Sequence, residues 1–530
     1  VQDDARQHVV WLQRFVDSEL FSQDIIADYF QSLAPIGYKI LYFLFAKVGI
    51  EPILLARILP PILGIITTIY IYLFILEILP IGICGFFSSL FINQLIWLND
   101  DLVSATPRAF VYPLFAAFLY YLAKNRLITC LVLMLLQGLF YPQLLLIEMT
   151  ILSVKLLNKN SKYLIKLTSK KQLYIWWISG FIVSAIALYP VTQKPPELAT
   201  VVTAQQMQQM PEFNPDGRSP FFGGGWFNYW FAGSSGLDLP LFPPIVWASI
   251  VLPWLLKTKF PVIKLITNKI DILKQVTVAS LGMFALAHIL LPRLHLPSRY
   301  TYHSLRFVMA IATGIVITTL FNLGKNWFSN KIKARKSFNL SDKIKITLIT
   351  LFSLIVIIFP AVPHVFINWF QNWRVGTAPE IYEYLAQQPK DIMVASLSKE
   401  VNTIPAFAQR SILIGEEFAL AYHPSYYSQV EERAIALIQA QYTSDIKVLK
   451  SFIKQYDIDY LLLDKVAFTS DYSLDQDWLI NSSWSDVTRN AIADLESEVS
   501  PVLVKFIEFC SVVTTKDLDL LDTTCIFENE

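Results

Sequence analysis

Between residues 54 and 363 the chain is divided into ten apolar runs, near 54–78, 81–98, 108–124, 127–141, 142–157, 173–190, 240–256, 276–292, 305–322 and 345–363. A helix that crosses a bilayer needs about 20 mostly apolar residues, about 17 at the short end, so each run is of spanning length or close to it. Of the 530 residues only 16% are charged and 54% are hydrophobic. That balance excludes an ordinary soluble domain and predicts an α-helical polytopic membrane protein. Turns at Pro80, Asn125 and Pro142 leave the early boundaries loose. Segment 38–48 is too short to cross and reads as an interfacial or re-entrant helix.

Lysine and arginine are retained on the cytoplasmic side of short loops. Three loops carry them: Lys155 to Lys171, Lys257 to Lys274, and Lys325 to Lys345. Alternate crossings then put 1–50, 99–107, 191–239, 293–304 and everything after about 364 on the outside. The organisation expected is an outside segment 1–50, a transmembrane part 51–370 and an extracytoplasmic domain 375–530. Near-neutral charge, Lys+Arg 43 against Asp+Glu 42, gives no reason to expect a nucleic-acid partner.

In the first outside segment Ala5, Val9, Leu12 and Val16 recur at helical spacing, and Ile25, Ile26, Tyr29, Phe30 and Leu33 do so after a Ser22 cap. Two amphipathic helices lying along the membrane are expected. The tail alternates short apolar runs, 392–395, 411–414 and 460–463, with helical patterns at 379–388, 426–442 and 445–456, which predicts a small α/β domain. No glycine-rich phosphate loop follows a strand there. Cys84 and Cys130 sit in apolar runs as small core residues, whereas Cys510 and Cys525 lie in the polar tail, where a disulfide can form.

The chemistry-bearing residues fall on the outside face. Asp3 and Asp4, followed by Arg6 and His8, form one acidic pair; Asn99-Asp100-Asp101 forms another at the end of a span. Carboxylates at the mouth of an apolar bundle are costly, which makes them site candidates. A carboxylate pair can divide the work of base and cation ligand, although an Asp opening the Ala5–Val16 helix also suits an N-cap. After the second pair comes Ser104-Ala105-Thr106-Pro107-Arg108. Thr106 can cap, Pro107 suits the first helical position, and Arg108 then stands in the first turn of a span, an arrangement that favours an anion. Asp100 and Asp101 can orient Arg108 or, with Asp4, hold a divalent cation; oxygen ligands alone suit Mg²⁺ or Mn²⁺.

A third group, Arg293, His295, Arg299, His303 and Arg306, puts cations on the outer side against the bias of the inner loops. They suit an anionic ligand such as a lipid phosphate, or snorkel to headgroups. Loop 191–239 carries turn residues, then Gly223-Gly224-Gly225 and Trp226-Phe227-Asn228-Tyr229-Trp230. A flap that stacks on sugars and an interfacial aromatic belt both fit. No His/Cys set has zinc spacing.

With its acidic pair opening a first outside loop that carries interfacial helices, its second acidic motif on the next outside loop, its many spans and its outside tail, the chain resembles the GT-C class of polyprenyl-phosphate-dependent membrane glycosyltransferases. That class includes protein O-mannosyltransferases, aminoarabinose transferases and oligosaccharyltransferase catalytic subunits. The resemblance implies that Asp3 or Asp4 is base or metal ligand, that Asp100 or Asp101 is the second-loop acid, and that a first span lies upstream of Val1. It implies a lipid-linked sugar donor and a lipid, glycan or protein acceptor. The Trp-Trp-Asp motif of oligosaccharyltransferases is absent from the tail, which argues against transfer to asparagine. The expected function is inverting sugar transfer from a polyprenyl-phosphate carrier to a hydroxyl, with Asp4 as base, Asp3 its partner, and Arg108, Arg299, Arg306 and His303 binding donor phosphate. A transporter of lipid-linked substrates would instead favour charges near the bilayer midplane, where Glu148 is the main candidate; a non-catalytic relative is the other alternative.

Overall fold

The computed structural model describes residues 3–98, 100–159, 165–193, 198, 200–333, 376–469, 477–497 and 499–529, with 472 and isolated positions between 340 and 354. Four helices among them are long and apolar enough to cross a membrane: Pro52–Ile78, Lys171–Thr192, Asn268–Ile289 and Pro297–Lys333. The other expected spans are shorter. Gly82–Trp97, Leu127–Phe140 and Pro244–Leu255 are apolar helices of 10–17 residues, and Val111–Ala123 and Pro142–Lys155 have 13 and 14 residues. At about 1.5 Å per residue such helices reach only about 20 Å, against a hydrocarbon core of about 30 Å. Proline explains one case: Pro253 removes an N–H donor where the 3₁₀ helix Pro244–Val251 runs into the turn Leu252–Leu255, while Pro243 and Pro244 only open that helix. The run expected at 345–363 falls largely outside the described residues.

Buried side chains form two apolar cores. The first holds the apolar helices, among them Phe74, Phe91, Tyr112, Phe115, Leu145 and Phe307. The second joins Val10, Trp11, Phe21, Ile26 and Phe30 to Val202, Phe213, Phe221 and Leu296, and to residues between 378 and 526. These are the stretches that the basic loops assign to one side.

The tail contains a five-stranded sheet in the order Ser411–Ile412, Met393–Ala395, Tyr460–Asp464, Leu518–Asp522, Ser511–Thr514. The first three strands are parallel and the last two pair antiparallel. Helices Pro379–Gln387, Pro424–Tyr442 and Ile446–Tyr456 lie where helical periodicity was expected. Burial of Val394, Ile412, Leu461 and Leu520 makes the sheet the centre of the tail. Cys510 and Cys525 form a disulfide with Cα atoms 5.5 Å apart, and Cys84 and Cys130 are buried free thiols.

Two details of the first segment differ from expectation. Its second helix, Ile25–Leu33, is capped by Asp24, whose carboxylate accepts from the Ile26 and Ala27 amides, and not by Ser22. Its apolar faces are covered by protein as well. Trp11 packs edge-on against Phe21 and Phe418 at 5.1 and 5.3 Å, and Tyr29 stacks on Tyr426 at 3.7 Å while its hydroxyl meets His423 Nδ1 at 2.9 Å. Helical periodicity says which face is apolar but not what covers it. Val9 and Leu12 belong to the first core and Val10 and Trp11 to the second, so this one turn joins the two.

An ion pair holds that junction. Arg6, 2% exposed at its side chain, meets both oxygens of Glu417 in the tail, with Nε to Oε2 at 3.1 Å. Removing one member of such a buried pair typically costs about 3–5 kcal/mol. Arg6→Ala is therefore expected to lower the melting temperature and to expose the 1–33 segment to limited proteolysis, whereas a melt within a degree of wild type would show that the aromatic contacts alone hold the segment.

Candidate functional site

The turn 104–108 is built by local chemistry. Ala105 takes a left-handed backbone, φ 52°, and its carbonyl accepts from the Tyr42 hydroxyl at 3.0 Å. Thr106 is extended, as a residue before proline must be. Its side chain does not cap the helix as expected; it bonds instead to the Ser104 hydroxyl at 2.9 Å. Pro107 opens a 3₁₀ turn, Pro107–Phe110, that runs into helix Val111–Ala123. Arg108 is thereby fixed at the mouth of the bundle.

Two carboxylates from distant parts of the chain converge on it. Asp101, in the short helix Asp100–Val103, lies with Oδ1 at 3.0 Å from Arg108 Nη1. Asp4, from helix Asp3–His8, bonds through Oδ2 to Arg108 Nη2. The side chains of Asp101, Asp4 and Arg108 are 1%, 14% and 22% exposed, so Asp101 is closed off while Asp4 and Arg108 keep partial access to solvent. The second Asp101 oxygen accepts from the Tyr112 hydroxyl at 2.8 Å. His303 Nδ1 stands 3.2 Å from that hydroxyl and 4.0 Å from Asp101 Oδ2. Burial alone would raise the Asp101 carboxyl, but the Arg108 guanidinium, with Arg306, outweighs it and holds the acid well below the usual carboxylate range.

Arg306 completes the arrangement. Its guanidinium lies 3.4 Å over the Tyr302 ring, an i, i+4 contact on one helix. It is 4% exposed, and its Nε and Nη1 have no hydrogen-bond partner among the described residues; nor has His303 Nε2. Buried donors without a partner carry a full desolvation cost and are exceptions in folded proteins. Asp238, raised by burial and drawn down by Arg306 and Arg299, brings a further acid from loop 191–239.

Asp4, Asp101, Arg108, His303 and Arg306 are thus gathered, with Arg299 close enough for its charge to act on Asp238 and on Tyr422 of the tail. Arg293 is exposed, and the His295 ring faces Tyr422 at 5.9 Å. The side chains of Asp3 and Asp100 lie outside the described residues. In the 191–239 loop, Gly223, Gly224 and Gly225 take positive φ and lead into helix Gly225–Phe231, which has no buried residue. Glu148 is far from solvent on Pro142–Lys155, and neither of its oxygens has a hydrogen-bond partner among the described residues.

Of the expected metal set, the Asp100 side chain lies outside the described residues, and the other two acids are already engaged. Asp4 and Asp101 turn their oxygens to a guanidinium, Asp101 spends its other oxygen on Tyr112, and among the described residues no three His, Cys, Asp or Glu side chains group to hold an ion. Sequence reading missed Tyr112, Tyr302 and Asp238. The two tyrosines carried a signal, since Tyr112 follows Arg108 by one helical turn and Tyr302 precedes Arg306 by one; Asp238 carried none.

Neither a protein-family model nor a curated protein sequence matches the chain. Among solved structures, it is similar to the oligosaccharyltransferase of Archaeoglobus fulgidus in its apo form, with 11% identity, 86% of this chain and 64% of that chain covered, and a TM-score of 0.44. The same enzyme in complex with an inhibitory peptide and a dolichol-phosphate gives 11%, 86%, 64% and 0.43. Its complex with zinc and sulfate gives 11%, 86%, 62% and 0.44. The chain spans less than two thirds of the length of these neighbours.

The Asp101–Arg108 contact is tested by a double-mutant cycle. Asp101→Asn and Arg108→Met each leave one buried charge with less compensation, a loss of about 3 kcal/mol. The double variant should lose less than the sum, with a coupling of at least about 1.5 kcal/mol between directly contacting groups. Additive losses in denaturant melts of the detergent-solubilised protein would mean that the two side chains do not act as a pair.

Proposed function

We propose that this protein is a polytopic membrane glycosyltransferase. It takes a sugar from a polyprenyl-phosphate carrier and transfers it to a hydroxyl of a lipid, glycan or protein acceptor at the outer face. The observation that carries the reading is the convergence of Asp4 and Asp101 on Arg108 beside Arg306, whose buried donors have no partner among the described residues. An acidic side chain with partial access to solvent and two cations in the same group are the parts required to take a proton from an acceptor and to receive a departing phosphate.

The reaction is a single displacement. The acceptor oxygen attacks the anomeric carbon from the face opposite the phosphate, its proton passes to the Asp4 carboxylate, and the bond between the anomeric carbon and the phosphate oxygen breaks. The electron pair leaves with the carrier phosphate, and the configuration inverts. Arg108 and Arg306 bind that phosphate, Arg299 and His303 flank it, and Tyr112 and Asp101 hold Arg108 in place. When Arg108 turns toward the phosphate, Asp4 is released to act as base. Asp3 supports Asp4, and Asp100 belongs to the same acidic motif as Asp101. The exposed aromatic helix after the three glycines is suited to cover sugar or acceptor, because aromatic rings offer an apolar face with little conformational entropy to lose. The topology that accompanies this reading is an outside segment 1–50, a multi-pass bundle 51–370 and an extracytoplasmic domain 375–530. It is supported by the shared core of the segments assigned to the outside.

One observation favours a second reading, transport of a lipid-linked substrate. Glu148 is buried within an apolar helix, and its carboxylate has no hydrogen-bond partner among the described residues, which is typical of intramembrane functional sites. Reconstitution separates the two: an enzyme converts labelled polyprenyl-phosphate sugar to product, whereas a transporter moves it across the bilayer unchanged.

For the enzyme, Asp4→Asn keeps size and hydrogen-bonding capacity but removes the proton acceptor. Turnover is expected to fall by about 10²–10⁴ in protein that still folds, with the melting temperature lowered by the loss of one carboxylate from Arg108. Wild-type turnover by a well-folded Asp4→Asn variant would remove Asp4 from the role of base.

A further inference from the structure

We propose that Arg108 is the protein's built-in cation, taking between the two acidic segments the place that a divalent metal would fill, so that the site assembles and works without one. Only the activity arm of the test rests on the reading of the site as a glycosyltransferase centre; the metal-binding arm does not.

The geometry points to this from three sides. The guanidinium presents separate nitrogens to Asp4 and to Asp101, Nη2 to one and Nη1 to the other, so one rigid planar group bridges residues 97 positions apart in sequence. A metal ligated by both carboxylates would need oxygens at about 2.0–2.1 Å for Mg²⁺. The guanidinium would have to leave first, and it cannot vacate the site by losing its proton, because arginine stays charged in proteins. Charge bears on it too. Among the described residues Asp4 and Asp101 already face the Arg108 guanidinium, and the Arg306 charge acts on Asp101, so neither of these carboxylates needs a divalent ion to neutralise it.

A second consequence separates this from simple electrostatic bracing. The remaining Asp101 oxygen is held by Tyr112, and the Tyr112 hydroxyl is backed by His303, so the far carboxylate stays oriented when Arg108 is removed. Arg108→Ala then leaves two acids facing one another across a cleared space, the arrangement that attracts a divalent ion. The cation requirement, absent in the wild type, is created by the substitution.

The test uses the detergent-solubilised full chain and Mn²⁺ alone as probe. Wild type should bind no Mn²⁺ stoichiometrically by electron paramagnetic resonance, show no melting shift with Mn²⁺, and lose less than twofold in sugar transfer after EDTA. Arg108→Ala should bind about one Mn²⁺ per chain, lost again in Arg108→Ala with Asp101→Asn, and Mn²⁺ should raise its melting temperature and restore at least tenfold of its lost transfer. If Arg108→Ala does not fold without metal, folding restored by Mn²⁺ in the refolding buffer carries the same conclusion, and Arg108→Lys, which keeps the charge but cannot bridge both acids, should fold and remain insensitive to EDTA. Stoichiometric Mn²⁺ binding by the wild type that disappears in Asp4→Asn or Asp101→Asn would overturn the proposal, and so would an Arg108→Ala variant that neither binds nor responds to Mn²⁺. Metal binding as expected without any sugar transfer would leave the built-in cation standing and remove the glycosyltransferase reading alone.

Discussion

A guanidinium held mostly out of water at the mouth of an apolar bundle must be neutralised, and the way this chain neutralises Arg108 dictates much of what surrounds it. One carboxylate comes from the adjoining turn and the other from the far N-terminal side of the described chain. The second contact requires the first outside segment to come back over the bundle. Arg6 then fixes that segment to Glu417 in the tail, and Trp11 and Tyr29 bury their rings there. The charge and the apolar contacts thus act together to link three regions distant in sequence. The ion pair stabilises only because its partners are oriented in turn, Asp101 by Tyr112 and the turn itself by Tyr42.

The same arrangement separates rigid from movable parts. Asp101, Tyr112 and His303 are almost wholly buried and belong to elements of the helical bundle, so their geometry is set by packing. Asp4 lies on a six-residue helix and keeps partial access to solvent. The Arg108 contact with Asp4 is therefore the one most easily exchanged for an incoming anion, while the contact with Asp101 persists. A donor phosphate entering from the outer side would meet Arg108 and the unspent donors of Arg306, and the carboxylate it displaces would be the one nearest the acceptor. In the proposed reaction, binding of the leaving group and release of the base are one event.

Much of this was legible in the sequence where a signal is local. Turn chemistry at Thr106-Pro107-Arg108, the acidic pairs, and the apolar runs that became strands Met393–Ala395 and Tyr460–Asp464 depend on neighbours a few residues apart. Contacts over long separations were not legible. Nothing in the spacing of Asp4 and Arg108 foretells that they touch, and a tyrosine such as Tyr112 inside an apolar run looks like core packing until its hydroxyl is seen on Asp101. The strand Ser511–Thr514 escaped because it is a four-residue edge whose residues alternate between half-buried and exposed, and helix lengths were overestimated where proline or a turn cut an apolar run short. The amphipathic first segment shows the same limit: a period of 3.6 marks the apolar face, and the tail core, not lipid, covers part of it.

The most direct measurement is a structure of the protein with a polyprenyl phosphate bound. The account predicts phosphate oxygens at charge-assisted hydrogen-bond distance, about 2.7–2.9 Å, from both Arg108 and Arg306, with Asp101 still on Arg108 and the Asp4 carboxylate detached from it and open to the outside. A phosphate lodged elsewhere, with Arg108 still closed between Asp4 and Asp101, would contradict it.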